Sequence, residues 1–239
     1  MTSRIAEISQ RRAARIAGIA YLIIFVLGLY ANFFIFENLI VPGDSAATAN
    51  NIIANQILFR SGMVTWIVVL VCDVIIAWAL YIFLKPVSRN ISLFAAWFRL
   101  VYCTIFGVTL LNLLIVTQLL SGAGYLDVFS RDQLHALVSV FLKGYNYGFL
   151  IGLVFFSIHL LLLAYLIFRS GFVSKILGFL LFLSFLGYVT DSFANFLLTN
   201  YADYKIIFLL LVAIPGIVGE LSFTLWLLFK GVKVEPVVQ

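Results

Sequence analysis

Charge is what this sequence has least of. Only 10% of its residues are Asp, Glu, Lys or Arg, against about 25% in a soluble domain. That deficit excludes an ordinary water-soluble fold. Cysteine is scarce too: Cys72 and Cys103 form no CxxC pair, no metal pattern and no disulfide framework, so both read as packing residues. Two histidines, His135 and His159, are too few for a multi-histidine zinc centre. No GxSxG elbow, HExxH helix or Gly-Lys-Ser phosphate loop occurs. No metal or other cofactor is therefore expected. Low-complexity segments are absent, and no stretch is polar enough to form a separate soluble domain.

Apolar residues fill the space. Of 239 residues 64% are hydrophobic, including 24 Phe, 11 Tyr and 4 Trp, and the mean hydropathy is +1.15. Uncharged runs recur along the whole chain and predict six spans, at about 16–36, 61–84, 91–120, 134–168, 174–198 and 205–229. Each exceeds the roughly 20 residues that cross a bilayer core as helix. The third and fourth are longer, so they must tilt or project into water. The expected fold is all-α: one polytopic bundle of six transmembrane helices in a single domain. The run 16–36 is long enough to span and has no convincing small-residue cleavage site after it, so it reads as a retained first helix rather than a signal peptide.

The basic balance (pI about 9.3) follows the spans instead of forming a nucleic-acid-binding stripe. Arg4, Arg11, Arg12, Arg15, Lys85, Arg89, Arg169, Lys175, Lys230 and Lys233 fall on one side, and only Arg60, Arg131 and Lys205 on the other. The positive-inside rule places both termini in the cytoplasm. Glu37, Asp44, Asp127, Asp132 and Asp203 all fall outside, which agrees with that orientation.

The outer loops carry helix signals. Pro42-Gly43 marks a turn, Asp44 or Ser45 an N-cap, and Ala49, Ile52, Ile53 and Ile57 fall at helical spacing, opposite Asn50, Asn51 and Asn55. A short amphipathic helix is expected in this first outer loop. Ser130 and Gln133 match a capping box that opens the fourth span. Phe59-Arg60-Ser61-Gly62 and Phe168-Arg169-Ser170-Gly171 repeat one tetrapeptide ahead of the second span of each three-span half. The match hints at inverted halves, as in many transporters, but is too short to establish them.

Two features of the spans have no lipid explanation. Gly144, Gly148 and Gly152 form a GxxxGxxxG ridge, which lets another helix approach closely, in the same chain or in a second copy as a homo-oligomer. His159 follows on the same side, so ridge and histidine both face protein. Ionisable groups also share a depth, counted from the cytoplasmic helix ends at 1.5 Å per residue. Asp73 lies roughly 18 Å deep, Arg99 about 13 Å, His159 and Glu220 about 15 Å each. Isolated charges there cost about 2.5–3.5 kcal/mol apiece on insertion scales. The economical arrangement pairs Arg99 with Asp73 or Glu220 and leaves the other acid against His159 or protonated. Such a layer suits a polar cavity or proton-coupled site; the competing reading is an ion-pair network that fixes helix register. Pro215-Gly216 beside Glu220 predicts a kink that could open a cavity.

A second polar group is expected nearer the outer face. Tyr188, Asp191 and Asn195 form an i, i+3, i+7 stripe, with Tyr145 and Asn146 at similar depth and Asn112 and Gln118 close by. Either Lys143 neutralises Asp191 or the group lines an outward vestibule.

Several stretches resemble a bacterial family of six-span membrane proteins known only as a domain of unknown function (DUF4386). They are LIVPGDSAATANNI, LYIFLKPVSRN, FRLV, GFLIGLVFFSIHLLLLAYLIFRSG, GYVTDS and GELSFTLWLLFKGV. The resemblance implies a multi-pass protein of the bacterial cytoplasmic membrane and supplies no activity. The residues themselves favour a protein that binds or transports a small or lipophilic molecule at Asp73, Arg99, His159 and Glu220, in contact with membrane lipid and without nucleic acid. The alternatives are an intramembrane enzyme acting on a lipid or isoprenoid, with His159 and an acid as proton-transfer pair, and a structural or partner-binding protein.

Overall fold

The computed structural model describes residues 8–230; Arg4 and Lys233, counted above toward orientation, lie outside them. Among the described residues the chain is helical and without strands. Six helices are long and apolar enough to cross a membrane. They are α1 (Gln10–Leu39), α3 (Gln56–Leu84), α4 (Arg89–Leu119), α5 (Arg131–Ser170), α6 (Lys175–Leu197) and α7 (Tyr201–Phe229). The short α2 (Ser45–Ala54) lies between the first two spans. Helix is the form such sequences must take in lipid, because it satisfies each backbone donor and acceptor within the segment.

The helix ends follow local chemistry. Asp44 caps α2 by accepting from the Ala47 N–H at 2.8 Å. Thr48 then clamps the preceding turn: its hydroxyl accepts from the Val41 N–H at 2.9 Å and lies 2.8 Å from the Asp44 carbonyl, to which it can donate. The buried face of α2 is Thr48, Ala49 and Ile52. It is narrower than the sequence suggested, since Ile53 is exposed and Ile57 belongs to α3 and is exposed as well. The capping box of α5 forms in both directions. The Ser130 N–H donates to Gln133 Oε1 at 2.8 Å, and the Gln133 N–H to Ser130 Oγ at 3.3 Å. The repeated Phe-Arg-Ser-Gly does not repeat structurally. Its first copy lies inside α3, whereas the second ends α5, with Gly171 at φ +72°.

The chain forms two compact units. One contains Ile24–Val71 and Cys103–Gly152. Here α1 runs as π-helix over Tyr30–Phe36, and Phe36 stacks on Trp66 and Tyr145 while Phe59 meets it edge-on. α4 breaks its helical regularity at Leu110. Beside the break, the Asn112 amide donates to the Thr109 carbonyl at 2.9 Å. The Thr109 and Asn112 side chains fill the space over Gly148 and Gly144, where an added Cβ would strike them. At these two positions the glycine ridge therefore serves a helix of the same chain. Gly152, the third member, is buried.

Among the described residues, the other unit contains those up to Ile23, Cys72–Tyr102 and those from Leu153. Its helices meet through small residues. A Cβ on Gly18 of α1 would lie 2.8 Å from Leu228 of α7, and one on Gly178 of α6 would lie 3.3 Å from the Ala164 carbonyl of α5. The tightest approach joins α6 to α7 beside Pro215. Proline has no N–H to give the Leu211 carbonyl four residues back. That oxygen points at Gly187, where a Cβ would sit only 2.5 Å away. Ser184 Oγ lies 2.8 Å from the Pro215 carbonyl and 3.1 Å from the Leu180 carbonyl, so its single proton can serve either.

Candidate functional site

The intramembrane charges belong to this second unit. Arg99 on α4, Asp73 on α3 and His159 on α5 are 1%, 2% and 1% exposed. The guanidinium is the hub. Its Nε and Nη2 both donate to Asp73 Oδ1, at 3.0 and 2.5 Å. Its Nη1 donates to the Tyr21 hydroxyl at 2.7 Å and faces His159 Nε2 at 3.1 Å. Arginine can only donate, so Nε2 must accept. The ring proton therefore sits on Nδ1, which donates to the Ala95 carbonyl at 2.8 Å. Both ring nitrogens of His159 are engaged.

Aromatic rings close the remaining sides. The Arg99 guanidinium carbon lies 4.8 Å from the Tyr21 ring centre and 5.3 Å from that of Phe156, an arrangement that favours a desolvated cation. Phe156 also stacks on His159, with centroids 5.9 Å apart, and presents itself edge-on to Tyr188 at 5.7 Å. Arg99 and Asp73 thus pair as the depth count suggested. His159 does not face an acid; it accepts from the cation.

Glu220 makes no hydrogen bond or ion pair to this group among the described residues. It lies mid-helix on α7 and is half-buried. Among the described residues its carboxylate has one hydrogen-bond donor, the Tyr188 hydroxyl at 3.0 Å. Gly216 leaves room for that bond, because a Cβ there would come within 3.0 Å of the Tyr188 oxygen. One turn further on, the Thr224 hydroxyl donates to the Glu220 carbonyl at 2.7 Å. The expected kink region is therefore where Tyr188 crosses to Glu220, and Gly216 supplies the small profile that this needs.

Tyr188 consequently leaves the outer polar group in which sequence spacing placed it. What remains is Asp191 with Asn195 and Tyr201. The Tyr201 hydroxyl donates to Asp191 Oδ1 at 2.6 Å, and the Asn195 amide lies 3.2 Å from the Asp191 carbonyl. Asn146 is exposed and belongs to the other unit, as does Lys143. Tyr21, Phe156 and the Ala95 carbonyl were missed by sequence reasoning. Tyr21 and Phe156 are single members of an aromatic-rich composition; only the i, i+3 spacing of Phe156 and His159 could have pointed to one of them. Among the described residues no three His, Cys, Asp or Glu side chains lie together as a metal ion would require.

Six long apolar helices carrying an internal charge cluster define a multi-pass helical membrane protein. The chain belongs to the family described as Domain of unknown function (DUF4386), whose model matches residues 16–231. It is also similar to an uncharacterised protein of the archaeon Archaeoglobus fulgidus, 33% identical over 170 residues, covering 71% of this chain and 83% of the relative. No solved structure matches it.

Proposed function

We propose that this protein binds or transports a small or lipophilic molecule within the membrane. Glu220 and Tyr188 are the contact point, and the Asp73–Arg99–His159–Tyr21 group is the fixed electrostatic foundation beside it. One observation carries this reading: Glu220 is partly exposed, and among the described residues its carboxylate has one hydrogen-bond donor, in a mainly apolar helix. A carboxylate accepts through two oxygens and about four lone pairs, so most of its capacity is left for a ligand donor, an amine or a proton. An intramembrane ionisable group with spare capacity is a functional site by default, because its insertion cost is otherwise uncompensated. The Lys and Arg distribution supports placing both termini in the cytoplasm, and the family resemblance supports a bacterial cytoplasmic membrane, although a similar protein occurs in an archaeon.

A second reading draws on a different observation. The near-complete burial of Arg99, Asp73 and His159 suits a network that only fixes helix register. Nothing comparable favours an intramembrane enzyme, since His159 has both nitrogens occupied and a cation as neighbour.

The test is mass spectrometry of molecules that co-purify with wild type and Glu220→Gln, with thermal unfolding of both. A discrete species retained by the wild type and lost from the still-folded variant supports a ligand site. Identical co-purifying species in the two proteins would sink it.

A further inference from the structure

The unit that lacks the buried charges has a site of another kind. On the membrane side carrying few basic residues, α2, the α4–α5 loop and the start of α5 enclose a half-open cavity of about 590 Å3. That volume lies within the range of small-molecule sites, about 300–1,000 Å3. Its lining combines Leu119, Leu120, Leu126 and Leu134 with Arg131, His135 and Asp127. A second recess of about 100 Å3 shares Leu120 in its wall and is lined by Arg60 and Gln56. Among the described residues the side chains of Arg60, Arg131, His135 and Asp127 have no hydrogen-bond or ion-pair partner.

The placement of the arginines is the informative part. Basic charge toward this side of the membrane comes from Arg60, Arg131, Lys143 and Lys205, where Lys and Arg are depleted by topology. The two arginines among these four line the adjoining recesses. Each recess combines an arginine with apolar wall residues, the combination that recognition of an anionic head with an apolar tail calls for. Arginine is the residue suited to phosphate oxygens, which its planar fork can meet with two parallel bonds. Asp127, exposed in the lining of the larger cavity, can accept from hydroxyls on a head group.

We infer that these recesses form a binding site for a phosphodiester lipid with a hydroxyl-bearing head, taken from the leaflet that this side faces. The arginines hold the phosphate, Asp127 the head-group hydroxyls, and the leucines the first part of the acyl chains. The site does not depend on the Glu220 reading, and its failure would leave that reading untouched.

The test uses the full chain in nanodiscs of phosphatidylcholine doped with phosphatidylglycerol, followed by native mass spectrometry after release into detergent. Wild type should retain phosphatidylglycerol over phosphatidylcholine by about tenfold, a discrimination of about 1.4 kcal/mol. Arg60→Gln with Arg131→Gln should abolish the preference. Ala123→Trp, which fills the larger cavity and leaves every charge in place, should abolish it as well. Excess inorganic phosphate should displace little lipid; full displacement by phosphate would mean that the site reads a free anion, and would overturn a lipid site. Equal retention of both lipids by wild type, or an unchanged preference in either folded variant, would overturn it too.

Discussion

Arg99 and Glu220 are both charged residues in apolar helices of the same unit, and they are treated differently. Four of the five guanidinium N–H groups have named partners, and two aromatic rings cover its faces. Glu220 has one tyrosine and partial exposure. Saturation is what separates them. A charge whose partners are supplied by the chain has little left to offer a ligand, and Arg99 ties together residues of α1, α3 and α5. An under-satisfied charge beside a proline and a glycine keeps bonding capacity in reserve. Position in the bilayer alone would have assigned the two the same role.

The saturated group should be the more sensitive of the two to substitution. Asp73→Asn or Arg99→Gln alone should destabilise the protein by about 3–5 kcal/mol, because each leaves an uncompensated buried partner. The double variant should recover much of that loss, since neither charge remains. Unfolding in detergent, read by near-ultraviolet dichroism or tryptophan fluorescence, measures the cycle; additive losses would mean that the pair is not the coupled unit described here. Gly187→Ala comes next, at about 1–3 kcal/mol, the usual cost of overpacking. Its new methyl would meet the Leu211 carbonyl, which is backbone and cannot rotate aside. A melting temperature equal to wild type would show that α6 and α7 are more loosely apposed than the structure has them. The smallest effect belongs to the unsaturated end. Tyr188→Phe should cost only about 0.6 kcal/mol of stability, the average for a hydrogen bond between membrane helices. It should still alter whatever co-purifies with the protein; a loss as large as that of Asp73→Asn would put Glu220 in the structural class with Arg99.

Much of the fold was legible because a bilayer constrains sequence strongly. The six spans follow from hydropathy, and the α5 start from its capping box, within a few residues of the helices observed. The grouping of Asp73, Arg99 and His159 could be anticipated because helical rise converts residue number directly into depth. Depth does not give rotation about the helix axis, and rotation decides which partner a side chain meets. Depth therefore leaves open whether an acid faces His159 or is protonated elsewhere, and the structure puts His159 beside the cation. Tyr188 shows a related gap. Side chains on a helix lean toward its N-terminus, so a tyrosine in the middle of α6 delivers its hydroxyl toward the Glu220 level, away from Asp191, although the i, i+3 spacing joined it to Asp191. The π-helical turn of α1 and the break at Leu110 had no sequence signal of their own; side-chain packing around Phe36 and Thr109 accompanies them.

The most direct test is to compare the reactivity of the two carboxyls with dicyclohexylcarbodiimide, a lipid-soluble reagent that forms an N-acylurea on an accessible protonated carboxyl. The protein is labelled in membranes and mapped by peptide mass spectrometry. Labelling at Glu220 that rises in Tyr188→Phe, with Asp73 unmodified, is the predicted result. Modification of Asp73 to the same extent as Glu220, or an unreactive Glu220 in both proteins, would contradict the division between a sealed charge and an available one.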